Sequence, residues 1–385
     1  MTPAAGAAPL KILWAIKGLG PGGAETLLVS AARVADRQRL QFDACYVVPW
    51  KQQLVSDLEA EGVRVHALSS GASVGRTWPL RLRRLIRDGA FDVVHAHSPL
   101  VAAAARLAVR SLPRAERPGL VTTEHSVWQQ LQPLTRLVNA ATCRLDDARL
   151  AVSRPVHESM WPPFRGGVEV LLHGIVPTDT AVAAGTRDRM RAELGLPSDA
   201  VVACTVANLR AQKGYEDLLS AARKVADATD NVYFLSVGQG VQEQELRQRH
   251  AELGLGDRFR FLGHRTDVMQ ILAASDIFVM SSRFEGFPVA IMEAMSTGLP
   301  VVATSVGGLP DAVSSGVDGI LTPPADPAAL ADAVLRLAEQ PEERRRMAQA
   351  AATKAERYDI NRTLRSLERH YEQAARRRRA PENRG

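Results

Sequence analysis

At 385 residues, with 46% hydrophobic and 23% charged side chains, the chain has the size and balance of a globular protein of two or three domains. Aromatic residues make up only 5%, which argues against a base-stacking nucleic-acid platform, and the formal charge of +6 suits an anionic small molecule or lipid surface instead. Cys45, Cys143 and Cys204 are too scattered for a disulfide framework or a zinc pattern and read as reduced core thiols.

The N-terminal MTPAAGAAPLK has neither a charged leader nor a long apolar core, and no uncharged apolar run spans a bilayer. Residues 100–109 come nearest, and Arg106 interrupts them. The expectation is a cytoplasmic protein, at most peripheral on the inner face of the membrane. Residues 10–16 read as a strand, followed by a glycine-rich turn and an amphipathic helix to about Ala35. Gly18, Gly20 and Gly23 satisfy G-x-G-x-x-G in the strand-to-helix setting of a dinucleotide site. Such a site needs an acid at the end of the second strand, and Pro49-Trp50-Lys51 offers none; a tight structural turn is the alternative.

Residues 42–48 and 63–68 read as strands and 53–60 as a helix. Residues 79–87 form a basic helix, with Arg81, Arg83, Arg84 and Arg87 among apolar residues; it is either a solvated face or a contact for anionic lipid. In strand 91–97, His95 and His97 share one face, without a third metal ligand nearby in sequence. Strand 120–126 ends in polar residues that include His125. Helix 133–144 and strands 149–153 and 168–172 follow, and the Thr/Ala-rich stretch 176–187 reads as a linker.

A second alternation opens with strand 200–207 and the polar loop 208–214, which starts a helix at Tyr215. Strands 232–237 and 259–262 end in Gly238-Gln239-Gly240 and Gly263-His264-Arg265. The apolar run 276–280 passes through loop 281–288 into helix 289–297, with Pro288 suited to the entrance because its missing N–H would be unpaired there. That loop lies at the carboxyl end of a strand and faces a helix N-terminus, a setting that favours an anion. Glu285 and Glu293 frame it, roughly 12 Å of helix apart, as if holding the two ends of an extended, hydroxyl-rich anionic ligand. Strands 300–303 and 318–321, helices 328–339 and 342–357, and an amphipathic segment 360–379 ending in Arg376–Arg379 complete the chain.

Glu285 and Glu293 in the frame EGFPVAIME, followed by Ala294-Met295, Gly298-Leu299-Pro300 and Val306-Gly307-Gly308, resemble the large retaining family of GT-B glycosyltransferases, family 4, or glycosyl transferases group 1. Along most of the chain other residues are similar to that family: Gly22 and Gly23 in a Gly-Gly-Ala-Glu turn, His97 in a D-V-V-H-x-H strand, His125 at the next strand end, and Lys213 before Gly214. The resemblance implies an α/β fold of two Rossmann-like doubly wound domains facing across a cleft, with the C-terminal helix crossing back to the N-terminal domain. Residues 1–177, with helix 358–380 packed back on them, would bind the acceptor; residues 178–357 would bind the nucleotide sugar; residues 376–385 would be a basic flexible tail.

The implied reaction is retaining transfer from a nucleoside diphosphate sugar to a hydroxyl on a sugar, lipid-linked sugar or glycolipid, in cell-envelope, polysaccharide or glycolipid biosynthesis. It implies no metal, no cofactor and no nucleic acid. Lys213 and Arg210 would neutralise the diphosphate, and Glu285 would meet the donor sugar or its oxocarbenium-like transition state. His125 would hydrogen-bond a sugar hydroxyl or the departing phosphate, and Glu293 the ribose. Gly286, Phe287, Pro288, Asn208, Gly238, His264 and Arg265 would complete the donor site, while Gly22, Gly23 and His97 would form the acceptor and diphosphate loop. Departures from the family pattern are Asn208 in place of its Arg, and His173 and Val176 in place of an Asn and an Asp. A nucleotide-sugar 2-epimerase, a nicotinamide-dependent oxidoreductase using the 18–23 turn, and a catalytically silent nucleotide-sugar-binding subunit remain as alternatives.

Overall fold

The alternation of apolar and amphipathic segments resolves, in a computed structural model, into two parallel sheets, each at the centre of its own unit. The structure describes residues 8–20, 22–71, 73–172, 174–176, 180–286 and 288–379. Phe287, His173 and residues 380–385 of the expected tail lie outside them. One unit comprises Met1–Val176 with Ile360–Gly385, the other Pro177–Asp359.

In the first unit β1 (Leu10–Ile16), β2 (Leu40–Tyr46), β3 (Arg64–Ala67), β4 (Val93–Ala96), β5 (Gly119–Glu124), β6 (Ala148–Ala151) and β7 (Val168–Val170) run parallel in the order β3-β2-β1-β4-β5-β6-β7. Its helices up to this point are α1 (Gly23–Val34), α2 (Val55–Ala60), α3 (Trp78–Asp88), α4 (Pro99–Arg110), α5 (Pro133–Thr142) and α6 (Arg154–Ser159). A parallel sheet is covered on both faces, so strand alternation feeds two cores rather than a core and a surface. In β1, Ile12, Trp14 and Ile16 pack on one side and Leu13 and Ala15 on the other.

The second unit opens with α7 (Thr180–Glu193). Its strands β8 (Val201–Val206), β9 (Val232–Val237), β10 (Phe259–Gly263), β11 (Ile277–Met280), β12 (Val301–Thr304) and β13 (Gly319–Thr322) take the order β10-β9-β8-β11-β12-β13. Helices α8 (Tyr215–Ala228), α9 (Glu243–Glu252), α10 (Val268–Ala273), α11 (Val289–Ser296), α12 (Leu309–Ala312), α13 (Pro327–Glu339) and α14 (Pro341–Ala355) alternate with them. The last helix, α15 (Ile360–Arg379), packs on β5 and α1 and so belongs to the first unit.

Three sequence expectations change. The stretch read as a linker is helical from Thr180, because its alanines favour helix and Arg187 and Arg191, one turn apart, both pair with Asp276 at 2.7 Å. Residues 100–109, weighed only as a membrane span, lie within α4 (Pro99–Arg110), which packs beside α3 and α5. Arg106, which interrupts that apolar run, is buried against Asp146 (2.7 and 2.8 Å), Asn139 and Thr142, so its charge is fully partnered. Arg376–Arg379, read as frayed tail, is the last turn of α15; Ala374 and Ala375 are buried and Arg377 donates to the Asp147 carbonyl. Among the described residues no helix is long and apolar enough to cross a membrane.

Candidate active site

Each sheet reverses its strand order once, between β1 and β4 and between β8 and β11. Loops leaving the carboxyl ends of such a strand pair diverge, which opens the crevice where doubly wound sheets bind ligands. In the second unit these are loops 208–214 and 281–288, and they are stitched together. Ser281 Oγ donates to the Lys213 carbonyl (3.0 Å), and the Arg283 N–H donates to the Gln212 carbonyl (2.8 Å). Gly214 closes the first loop at φ +63°, and a Cβ there would lie 2.1 Å from the Ser281 carbonyl oxygen, so glycine permits this approach.

The consequence is an ion pair that no local motif announces: Lys213 Nζ lies 2.5 Å from Glu285 Oε1, with both side chains largely buried. Ser282 Oγ donates to the same oxygen at 2.6 Å. The Glu285 backbone is pinned from the end of β12, where Gly307, at φ +54°, would bring a Cβ to 1.8 Å from the Glu285 carbonyl oxygen. Glu285 Oε2 makes no hydrogen bond among the described residues. Glu293, on α11, is half-buried with no side-chain partner among the described residues, and burial pushes its carboxyl up to about 7. Pro288 is the N-cap of α11 and supplies no side-chain cap, so the first N–H groups of that helix are not taken by one.

The other expected donor-side residues are more varied. Arg210 is exposed at the rim, Asn208 is half-buried, and Gly286 joins Glu285 to the helix entrance. Gly238 packs on the Ala207 carbonyl and donates its N–H to the Gly263 carbonyl (2.9 Å), tying together the loops after β8, β9 and β10. His264 is exposed, and the Arg265 guanidinium is held by Asp267 (2.5 Å) and Glu193 (3.2 Å), so its charge is already balanced. Sequence reasoning missed Ser282, although its place three residues before Glu285 was visible, and Thr304, which donates to the Ser282 carbonyl from the far end of β12.

At the switch point of the first unit, loop 17–22 is clamped by Leu19 N–H to the Lys51 carbonyl (2.7 Å) and Leu54 N–H to the Leu19 carbonyl (2.9 Å). Gly18 lies against Lys51, so a cation stands where a dinucleotide site would need an acid. Gly22 is the N-cap of α1 and Gly23 its first residue. Beside them His97 Nδ1 lies 3.1 Å from His125 Nε2, and the His95 ring packs on His97 with centroids 4.0 Å apart. Both ring nitrogens of His95 are engaged, by Tyr371 Oη (2.7 Å) and Thr123 Oγ1 (2.8 Å), two partners the sequence did not suggest. Burial pushes His95 down to about 3 and His125 to about 4, so both are neutral near pH 7. A cavity of about 40 Å³ adjoins these rings, lined also by Leu27, Leu28 and Leu367. Among the described residues no group of three or more His, Cys, Asp or Glu side chains is arranged to hold a metal ion.

Several known proteins are similar to this chain. Residues 21–179 match the model of Glycosyltransferase Family 4, and residues 186–354 that of Glycosyl transferases group 1. The D-inositol 3-phosphate glycosyltransferase of Streptomyces griseus is 35% identical over 227 residues, 55% of this chain and 46% of that protein. The Escherichia coli UDP-Gal:alpha-D-GlcNAc-diphosphoundecaprenol alpha-1,3-galactosyltransferase is 30% identical over 261 residues, 63% of this chain and 65% of that one. The chain spans about half the length of the curated relatives that match it at 35% identity. The crystal structure of Anabaena HepE in complex with UDP-glucose superposes with a TM-score of 0.81 at 23% identity, over 94% of this chain and 98% of that one. Matched by one family model in each half, and with strand order and loop placement repeated in both units, the chain belongs to the GT-B glycosyltransferases of family 4, group 1.

Proposed function

We propose that this chain is a retaining, metal-independent glycosyltransferase that moves a sugar from a nucleoside diphosphate sugar to a hydroxyl acceptor in cell-envelope, polysaccharide or glycolipid biosynthesis. One observation carries the reading: a largely buried Lys213–Glu285 pair at the switch point of the second sheet, followed along the chain by the carboxyl of Glu293, which burial raises and which has no side-chain partner among the described residues. A diphosphate offers Lys213 more charge than one carboxylate, and its arrival frees Glu285 to meet the donor sugar. Glu293, poised near neutrality, suits ribose hydroxyls. The acceptor oxygen bonds to the anomeric carbon as the bond from that carbon to the phosphate oxygen breaks, on the same face. The acceptor proton passes to the departing phosphate, and Lys213 with Arg210 offsets the charge that develops there. His125, held neutral by burial and 3.1 Å from His97 Nδ1, suits hydrogen bonding to an uncharged hydroxyl of the transferred sugar, with His97 on the acceptor side. The UDP-glucose bound to HepE and the lipid diphosphate in the name of the E. coli relative support this donor and acceptor class.

Thermal-shift screening with UDP-, GDP-, ADP- and dTDP-sugars, then NMR of the anomeric proton in the product, tests the reading. Stabilisation by one nucleotide sugar, a retained anomer and activity unchanged by EDTA are expected. Stabilisation by NAD(H) alone, or an inverted product, would overturn it. We propose that peripheral attachment uses the adjacent helices α3, α4 and α5, on which Leu80, Leu107 and Leu134 are exposed, as are Arg84 and Arg87 of α3. Flotation with phosphatidylglycerol vesicles but not phosphatidylcholine vesicles is expected; equal recovery with neither lipid would remove the assignment.

A further inference from the structure

The acceptor-side histidines connect to the C-terminal helix through a single phenol. Tyr371, on α15, is fully buried, and its hydroxyl has two hydrogen-bond partners among the described residues, Trp14 Nε1 at 3.3 Å and His95 Nδ1 at 2.7 Å. An indole nitrogen only donates, so Trp14 occupies a lone pair of the phenol oxygen. The phenolic hydrogen must then point elsewhere, because a buried O–H without an acceptor is strongly disfavoured. His95 Nδ1 is the acceptor within reach. That leaves the His95 hydrogen on Nε2, where it donates to Thr123 Oγ1 at 2.8 Å. The direction of three hydrogen bonds across β1, β4, β5 and α15 thus follows from the one partner that cannot accept. The His95 ring packs on His97, and His97 Nδ1 meets His125 Nε2, so the orientation passes ring to ring toward the strand ends.

We propose that Tyr371 is a positioning residue for sugar transfer: its hydroxyl fixes His95 as the Nε2–H tautomer and, through the packed ring of His97, aims His125 at the reacting sugar. This rests on the function proposed above for His125. Tyr371 itself touches no substrate in this account; it acts through His95.

The test uses the full-length chain with 15N-labelled histidine. In the unsubstituted protein His95 should show an unprotonated, pyridine-like Nδ1 and a protonated Nε2; the opposite tautomer would overturn the proposal whatever the activity. Tyr371→Phe should release the tautomer and lower kcat by about 10–100-fold, with the donor KM changed less than about twofold and the thermal shift on adding UDP, the nucleotide seen in HepE, unchanged. A released tautomer with kcat unchanged would sink the positioning role. Trp14→Phe guards against a folding defect in that variant: the phenol stays, but it loses the donor that sets its direction, so a mixed His95 tautomer and a smaller loss of kcat are expected. A single unaltered tautomer in Trp14→Phe would overturn the claim that the Trp14 donor sets the direction. Absence of transfer by the unsubstituted chain would overturn the function reading and the positioning role with it, while the tautomer measurement separately reports the hydrogen-bond direction.

Discussion

Replacing Lys213 by methionine isolates the ion pair between the two loops of the second unit. Methionine keeps the apolar stem and removes the charge. Glu285, with its side chain 8% exposed, would retain the Ser282 hydroxyl and lose its cation. Removing one partner of a buried pair costs about 3–5 kcal/mol. Because Lys213 is itself 16% exposed and Ser282 remains, about 2–3 kcal/mol is expected here. For a unit of about 180 residues each kcal/mol moves the melting midpoint by about 2–4 °C, so a fall of roughly 4–12 °C should follow. Adding Glu285→Gln removes the stranded charge and should recover most of the loss, a coupling of about 2 kcal/mol. All five tryptophans lie in the first unit, so their fluorescence should stay on its original melting curve while far-UV circular dichroism reports the shift. Stabilisation by a nucleoside diphosphate should also disappear. A Lys213→Met variant that melts within about 1 °C of the parent and is still stabilised fully by the diphosphate would refute the reasoning.

Gly307→Ala must adopt a left-handed backbone and push on the Glu285 carbonyl, so kcat should fall about 100-fold, whereas Gly316→Ala, equally left-handed but in open space, should cost only about 1–2 kcal/mol of stability and no activity. Burial raises Glu293 from an ordinary 4.5 to about 7, so the folded chain holds that proton more tightly. Its contribution to stability is complete below pH 4.5 and declines as pH rises through about 7; urea unfolding from pH 4.5 to 8 should show the decline, and Glu293→Gln should flatten it. The depressed His95 and His125 act with the opposite sign. Their neutral forms leave stability complete above about pH 6.5, and below it the first unit should lose up to about 1.4 kcal/mol per pH unit for each, as the unfolded chain takes up protons. Tryptophan-detected unfolding that is flat from pH 7 to 4.5 would contradict this.

Much of the architecture was legible because buried parallel strands are apolar runs bounded by polar or glycine residues. The strand Val232–Val237, the helix start at Tyr215 and the span of α15 follow from that pattern. Where the pattern was weak, so was the reading. The helix from Thr180 has little amphipathicity, and what holds it is the pairing of Arg187 and Arg191 with Asp276, far along the chain. Arg106 looked like an interruption because Asp146, Asn139 and Thr142 lie on other elements. In the site, Glu285, Glu293 and Lys213 were visible as residue types in a frame. Their meeting was not, since Lys213 and Glu285 come together only through sheet order and two glycines that let backbones touch. The phenol of Tyr371 carried no local signal at all, because its partners are on β1 and β4.

Because α15 belongs to the first unit, the chain leaves that unit at Val176 and returns to it only at Ile360. During synthesis Trp14 and His95 lack their phenol until α15, which follows the whole of the second unit, has been made. The second unit has all its strands and helices by Asp359 and is free to fold sooner, reversing the order in which the two are translated. A nonsense mutation at the start of α15 would therefore injure the unit that begins at the N-terminal strands and spare the unit lying directly before the stop.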